Sequence, residues 1–103
     1  LEQRRCRALA AKDGHEAIGM VWENDFDVML VDAGMAGMDD VELLETVKKI
    51  KPNTEVVMTI DYSSVGLVGH LLKKGAYTCL YKPHLDIEKL VRVIKEVKSQ
   101  KRS

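Results

Sequence analysis

The sequence predicts an α/β domain in which a parallel sheet is layered between helices, and three observations carry that expectation. Short apolar runs alternate with helical patterns along the chain, with no internal repeat. Two of those runs, residues 28–31 (VMLV) and 56–60 (VVMTI), are almost continuously apolar, as strands covered on both faces are, rather than alternating as half-exposed strands do. Helix-start and helix-stop residues fall at the junctions.

Taken in order, the first strand spans residues 6–11. Asp13 then stands as an N-cap with Glu16 three residues on, a capping-box spacing, ahead of Ala17, Ile18, Val21 and Trp22. After the strand 28–31, Asp39 and Glu42 repeat the device before Leu43, Leu44, Val47 and Ile50, and Lys51-Pro52 closes that helix. The strand 56–60 leads to a third helix capped by Ser63 or Ser64 and running through Val65, Val68, Leu71 and Leu72. Lys73, Lys74 and Gly75 end it with cations suited to the helix dipole and a glycine at the stop. A fourth strand covers residues 79–81. Asp86 caps the last helix, Leu85 and Leu90 are spaced as a hydrophobic staple, and Ile87, Leu90, Val91, Ile94 and Val97 form its apolar face.

Composition narrows the classes. The chain has 103 residues, 46% of them apolar, with 16 Lys+Arg against 16 Asp+Glu, so it is formally neutral. A single domain over residues 1–103 is expected, burying only roughly 60–70% of its unfolded surface and therefore of marginal stability. No run approaches the roughly 20 apolar residues of a membrane span, and LEQRRCRALA has no signal-peptide core, so a cytoplasmic protein without membrane contact is expected. Neutrality removes the electrostatic footprint of direct nucleic-acid binding; Arg4, Arg5, Arg7 and the terminal KSQKRS read as solvated surface. Cys6 and Cys79 are too far apart and too isolated for a zinc site and read as packed thiols. His15, His70 and His84 are likewise too scattered for a metal site. The five methionines, Met20, Met29, Met35, Met38 and Met58, read as core or rim.

In open α/β sheets chemistry gathers at the carboxyl ends of the strands. Asp32 directly follows VMLV, Asp61 follows VVMTI, and Lys82-Pro83 follows CLY. A structural ion pair is one reading of this set. The other is a phosphoryl site, in which an aspartate oxygen accepts a phosphoryl group and a lysine neutralises its oxygens, with a metal still required.

The segment DFDVMLVDAGMAGMDDVELL, together with AKDGHEAI and GAYTCLYKP, resembles the receiver domain of two-component response regulators (CheY-like). Asp32 and Lys82 are 50 residues apart, and Pro52, the VVM strand and Gly75-Ala76 fall in the family's order. The resemblance covers the chain from about Cys6 to Val97. It implies a flavodoxin-like, three-layer α/β/α fold with sheet order 2-1-3-4-5, and a role in signalling rather than enzymatic turnover. Asp32 would receive a phosphoryl group from a histidine kinase or phosphotransfer protein, Lys82 would pair with Asp32 and then hold a phosphoryl oxygen, and Asp32 and the Gly34 carbonyl would ligate Mg²⁺. Lys82-Pro83 falls where the family often has a cis peptide. The last helix with its neighbouring helix and strand would face a downstream effector, with a homodimer left open.

The sequence also departs from the family. It starts just before the family's second strand, so the first strand, its Mg²⁺-binding acidic pair and the first helix have no counterpart; an N-terminally incomplete chain is the favoured expectation, with a gap filled by a second copy or by rearranged pairing as the alternative. Glu2 lies on the wrong side of the strand to replace the pair. The hydroxyl position of the family aligns with Ile60, which has no donor, with Thr59 expected on the opposite face by the period of two unless a bulge swaps them. The aromatic switch position aligns with Cys79, with Tyr77 and Tyr81 expected on the same face as that residue. Ala36 and Asp40 stand for the usual proline and glycine. Asp61 is a stray acid near the site, while Asp39 and Asp40 read as caps. The leading expectation is a phosphoacceptor receiver; the alternatives are a pseudo-receiver interaction module that takes no phosphate and, more weakly, an acyl-phosphate phosphohydrolase.

Overall fold

The computed structural model describes residues 8–11, 13–33, 39–82 and 86–101. Among the described residues four strands and four α-helices alternate: β1 (Ala8–Ala11), α1 (Gly14–Glu23), β2 (Val28–Asp32), α2 (Asp40–Ile50), β3 (Glu55–Ile60), a 3₁₀ turn (Tyr62–Leu67) leading into α3 (Val68–Lys73), β4 (Ala76–Tyr81) and α4 (Ile87–Lys101). All strand pairs are parallel and the sheet runs β1-β2-β3-β4.

The expected acidic caps are present. The Asp13 carboxylate accepts from the Glu16 amide at 2.7 Å, Asp39 from Val41 and Glu42 at 2.9 and 3.2 Å, and Asp86 from Glu88 and Lys89 at 2.9 and 3.2 Å. Each satisfies helix-start amides that would otherwise lack an acceptor. The proposed Leu85 staple and Cys6 lie outside the described residues.

Two apolar layers sandwich the sheet. Met29, Val31, Val56, Met58 and Ile60 point to one face, where Ala17 and Val21 of α1, Leu43, Leu44 and Val47 of α2, and Leu71 of α3 bury them. Val28, Val57 and Leu80 point to the other, against Val97, with Leu90, Val93 and Ile94 beside it on α4. This is the three-layer arrangement that the apolar runs predict. Each fully buried aliphatic side chain contributes on the order of 1.5–3 kcal/mol.

The strands at residues 8–11 and 28–32, which the 2-1-3-4-5 order would place on either side of a further strand, pair directly with each other, Ala8 to Val28 through Ala11 to Val31. The open edges expected between them are therefore closed, because unpaired backbone amides and carbonyls are costly inside a sheet.

Three local expectations are corrected. The serine-capped third helix is replaced by the 3₁₀ turn and a shorter α3, because Asp61 draws the chain into a tight turn: the Ser63 hydroxyl donates to its carboxylate and the Ser64 amide donates to its carbonyl at 3.0 Å. The fourth strand begins at Ala76, earlier than residue 79. A register shift opposite Val56 and Val57 places Tyr77 in the α4 layer while Cys79 packs against the other, so these two residues do not share a face.

At the amino ends of the strands, Lys48 ties α2 to β3. Its ammonium donates to the carbonyls of Pro52 and Thr54 at 2.8 and 2.9 Å and to Glu55 Oε1 at 3.1 Å. Gly75, at φ +121°, turns the chain into β4 directly over this side chain; a Cβ there would lie 3.2 Å from Lys48 Cγ. No described helix is long and apolar enough to cross a membrane.

Candidate functional site

β2 ends at Asp32 and β4 ends just before Lys82, and both are pinned to the strand between them. The Ala33 amide donates to the Thr59 carbonyl at 2.8 Å and the Lys82 amide to the Ile60 carbonyl at 2.8 Å. Asp32 and Lys82 thus flank β3 at its carboxyl end. Strands lie about 4.8 Å apart, so two strand spacings separate their backbones. The lysine stem spans that gap, and its ammonium donates to Asp32 Oδ1. The carboxyl side chain is 49% exposed and the lysine 34%, so the pair sits at the rim of the sheet, open to solvent on one side.

Thr59 completes the group. It is the register partner of Asp32, and paired residues of a parallel ladder project to the same face. Its hydroxyl donates to Asp32 Oδ1 at 3.0 Å, while Ile60 is fully buried among the α1–α3 core residues. Thr59 and Ile60 do take opposite faces, as the period of two requires; what is corrected is the alignment of the hydroxyl position with Ile60, since the face that meets Asp32 is that of Thr59. Asp32 follows the four apolar residues 28–31 and Thr59 the three apolar residues 56–58, so only the register, which pairs Met29 with Val56, brings the two side by side.

Oδ1 of Asp32 thus receives two donors, and among the described residues Oδ2 receives none. An oxygen oriented in this way, beside a cation and a hydroxyl, suits a nucleophile whose developing product is an oxyanion. Asp61, the residue after β3, is exposed and does not join the group. Its carboxyl is held below the usual carboxylate range, first by the Ser63 hydroxyl and then by Ser64, with a smaller contribution from the Lys82 charge. Next to it Tyr62 stacks on Tyr81, ring centroids 4.8 Å apart and 13° from parallel. Burial pushes the Cys79 thiol up from its ordinary value, which disfavours the thiolate.

A divalent cation is a poorer match to what is described. Mg²⁺ requires near-octahedral oxygen ligation, usually with one or two carboxylates. Gly34, the expected carbonyl ligand, lies outside the described residues, as do Met35, Ala36, Pro83 and His84. Among the described residues Asp32 is the one carboxylate at the Lys82 ammonium, and no cluster of three or more His, Cys, Asp or Glu could hold a metal ion. The described side chains do not by themselves make a Mg²⁺ cage.

Comparison with known proteins gives concordant results. A family model described as the response regulator receiver domain matches residues 1–95. The transcriptional regulatory protein ZraR of Klebsiella oxytoca is 39% identical over 90 residues, covering 87% of this chain and 20% of ZraR. Sporulation initiation phosphotransferase F of Bacillus subtilis is 29% identical, covering 84% of this chain and 68% of the relative. Among solved structures, a response regulator receiver domain protein from Clostridium thermocellum superposes with a TM-score of 0.85 at 19% identity, covering 95% of this chain and 98% of that one. The beryllofluoride-activated receiver domain dimer of NtrC4 gives 0.80 at 24% identity, with 91% and 97% covered. The chain spans about a fifth of the length of the ZraR proteins it matches.

Proposed function

This chain belongs to the response regulator receiver-domain family, and on that premise we propose that Asp32 is its phosphoryl acceptor, serving a phosphorelay fed by a histidine kinase or phosphotransfer protein. The observation that carries the reading is the convergence of the Lys82 ammonium and the Thr59 hydroxyl on one oxygen of Asp32 at the carboxyl edge of the sheet. Oδ2 attacks the phosphorus of a phosphohistidine. The new O–P bond forms as the P–N bond breaks, and the electron pair of that bond stays on the imidazole nitrogen. As negative charge builds on the equatorial oxygens, Lys82 supplies a positive charge and Thr59 a hydrogen bond.

Receiver domains generally bind Mg²⁺ at the phosphorylation site; in this chain Asp32 would be one ligand and the Gly34 carbonyl a second, and the ion would screen phosphoryl charge. The work assigned to the chain's own residues is orientation: Thr59 and Lys82 fix Asp32 in one rotamer so that its second oxygen faces solvent and the incoming donor. The signalled state would then be read by a downstream effector on the surface made by α4, α3 and β4.

The test is incubation of the full chain with acetyl phosphate and Mg²⁺ followed by peptide mapping. A mass increase on Asp32 that survives acid and is lost in base supports the reading. An unlabelled Asp32 in a chain that also carries the acidic pair would favour a pseudo-receiver, which recognises partners without taking phosphate.

A further inference from the structure

The far side of the molecule holds a feature that phosphoryl chemistry does not use. Trp22 is the chain's one tryptophan, and although its neighbour Val21 is fully buried, Trp22 is 66% exposed. It stands in the last turn of α1, where that helix packs on α2, and lines a groove of about 580 Å³ with Glu42, Glu45, Thr46, Lys49 and Ile50. A large indole left in water is unusual for a helix that has already buried its apolar stripe.

The charge around it has a direction. Glu42, Glu45 and Lys49 fall at i, i+3 and i+7 on α2, so they share the stripe facing the groove. Among the described residues Glu42 has no ion-pair partner, and Glu45 has only Lys74 at 4.0 Å between two exposed side chains, a contact of little energy. The last turn of α1 carries no basic residue and is followed by its C-cap, Asn24, so the partial negative charge of the helix end adds to Glu42 and Glu45, which line the groove with the indole. Lys49 opposes this at one end of the groove.

We propose that this groove is a docking site for an arginine side chain on a basic segment of a partner protein, its guanidinium lying on the Trp22 ring and paired with Glu42 and Glu45. A guanidinium meets both requirements, since it stacks on an aromatic face and bonds carboxylates through a planar fork; an ammonium does the second less well. An acidic or phosphorylated ligand would meet two carboxylates and a helix C-terminus. A purely apolar segment would have to desolvate those carboxylates without a partner.

The test is titration of the full chain with a hexa-arginine peptide, read by Trp22 fluorescence, with hexa-lysine and hexa-glutamate as comparators. The expected result is a saturable change with hexa-arginine, weaker by several-fold with hexa-lysine and absent with hexa-glutamate. The double change Glu42→Gln, Glu45→Gln weakens the arginine peptide about tenfold and Lys49→Gln tightens it; all three positions are at the surface, and circular dichroism confirms that the variants fold. Trp22→Leu, read by anisotropy of a labelled peptide, also weakens binding about tenfold. An absent or non-saturating response overturns the proposal, as does equal binding of hexa-lysine or an affinity indifferent to Glu42 and Glu45. A fluorescence change on concentrating the protein alone also overturns it, in favour of a second copy of this chain as occupant.

Discussion

Changing Thr59 to Val separates the hydroxyl from everything else at the site. The two side chains are nearly isosteric and both β-branched, so the 8% exposed position loses its donor without creating a cavity, and the stability lost should be that of the one hydrogen bond rather than of packing. The lost interaction is one hydrogen bond of 3.0 Å to a carboxylate. A bond to a charged acceptor contributes about 1.5–3 kcal/mol when buried, and the half-exposed Asp32 carboxyl reduces that to about 1–1.5 kcal/mol. If the hydroxyl follows the charge onto the phosphoryl group, Thr59→Val slows labelling of Asp32 by about tenfold, and Thr59→Ser retains most of the rate. The assay is the initial rate of acyl-phosphate formation from acetyl phosphate, with urea unfolding run in parallel. Ile60→Val is the control: it costs about 1 kcal/mol of stability and leaves the rate unchanged. Wild-type labelling by Thr59→Val would refute the assignment of the hydroxyl to this residue.

Lys48→Met should be the more damaging change to the fold. It removes three charged donor contacts at a site where the lysine side chain is only 25% exposed, so a loss of about 2–3 kcal/mol is expected, read as a drop in Tm of roughly 10–20 °C. The Tyr77 phenol is raised above its ordinary value, first because it donates to Glu96 and then by burial. Its contribution is present below the ordinary tyrosine pKa of about 10 and is lost as pH rises through the folded-state value; the stability gap between wild type and Tyr77→Phe should therefore close in strongly alkaline urea titrations, and a gap independent of pH would contradict the assigned bond. Cys79, whose thiol burial pushes up from its ordinary value, should alkylate with iodoacetamide at pH 8 more slowly than a free cysteine, as followed by peptide mapping; equal rates would show that the thiol is not shielded.

Much of the architecture is readable because the same residues serve two purposes. Asp13, Asp39 and Asp86 mark helix starts by chemistry that is local, and the structure uses all three as caps. The apolar runs at 28–31 and 56–60 read as central strands and are central. The third helix is not readable in the same way, because Ser63 and Ser64 fit a helix cap and an Asx-type turn equally well, and the choice is made by the Asp61 carboxylate just before them. Tyr77 is misplaced by periodicity because a register shift changes which face each residue takes, and strand alternation carries no mark of a bulge.

The site divides along the same line. Asp32 and Lys82 are named by their positions after apolar runs, and their meeting depends only on strand order. The role of Thr59 is not legible from the family's hydroxyl position, which falls on Ile60, whereas the ladder pairs Asp32 with Thr59. The direct pairing of residues 8–11 with 28–31 is the rearranged pairing, which the sequence offers only within the less favoured alternative, because it is decided by the cost of bare backbone edges rather than by any side chain.

The measurement that bears most directly on the central claim is site-resolved mass spectrometry of wild type and Asp32→Asn after incubation with acetyl phosphate and Mg²⁺. An acid-stable, base-labile phosphoryl adduct on Asp32 that disappears in Asp32→Asn is the expected result. An adduct of equal stoichiometry in Asp32→Asn, or one mapped to another residue, would contradict it.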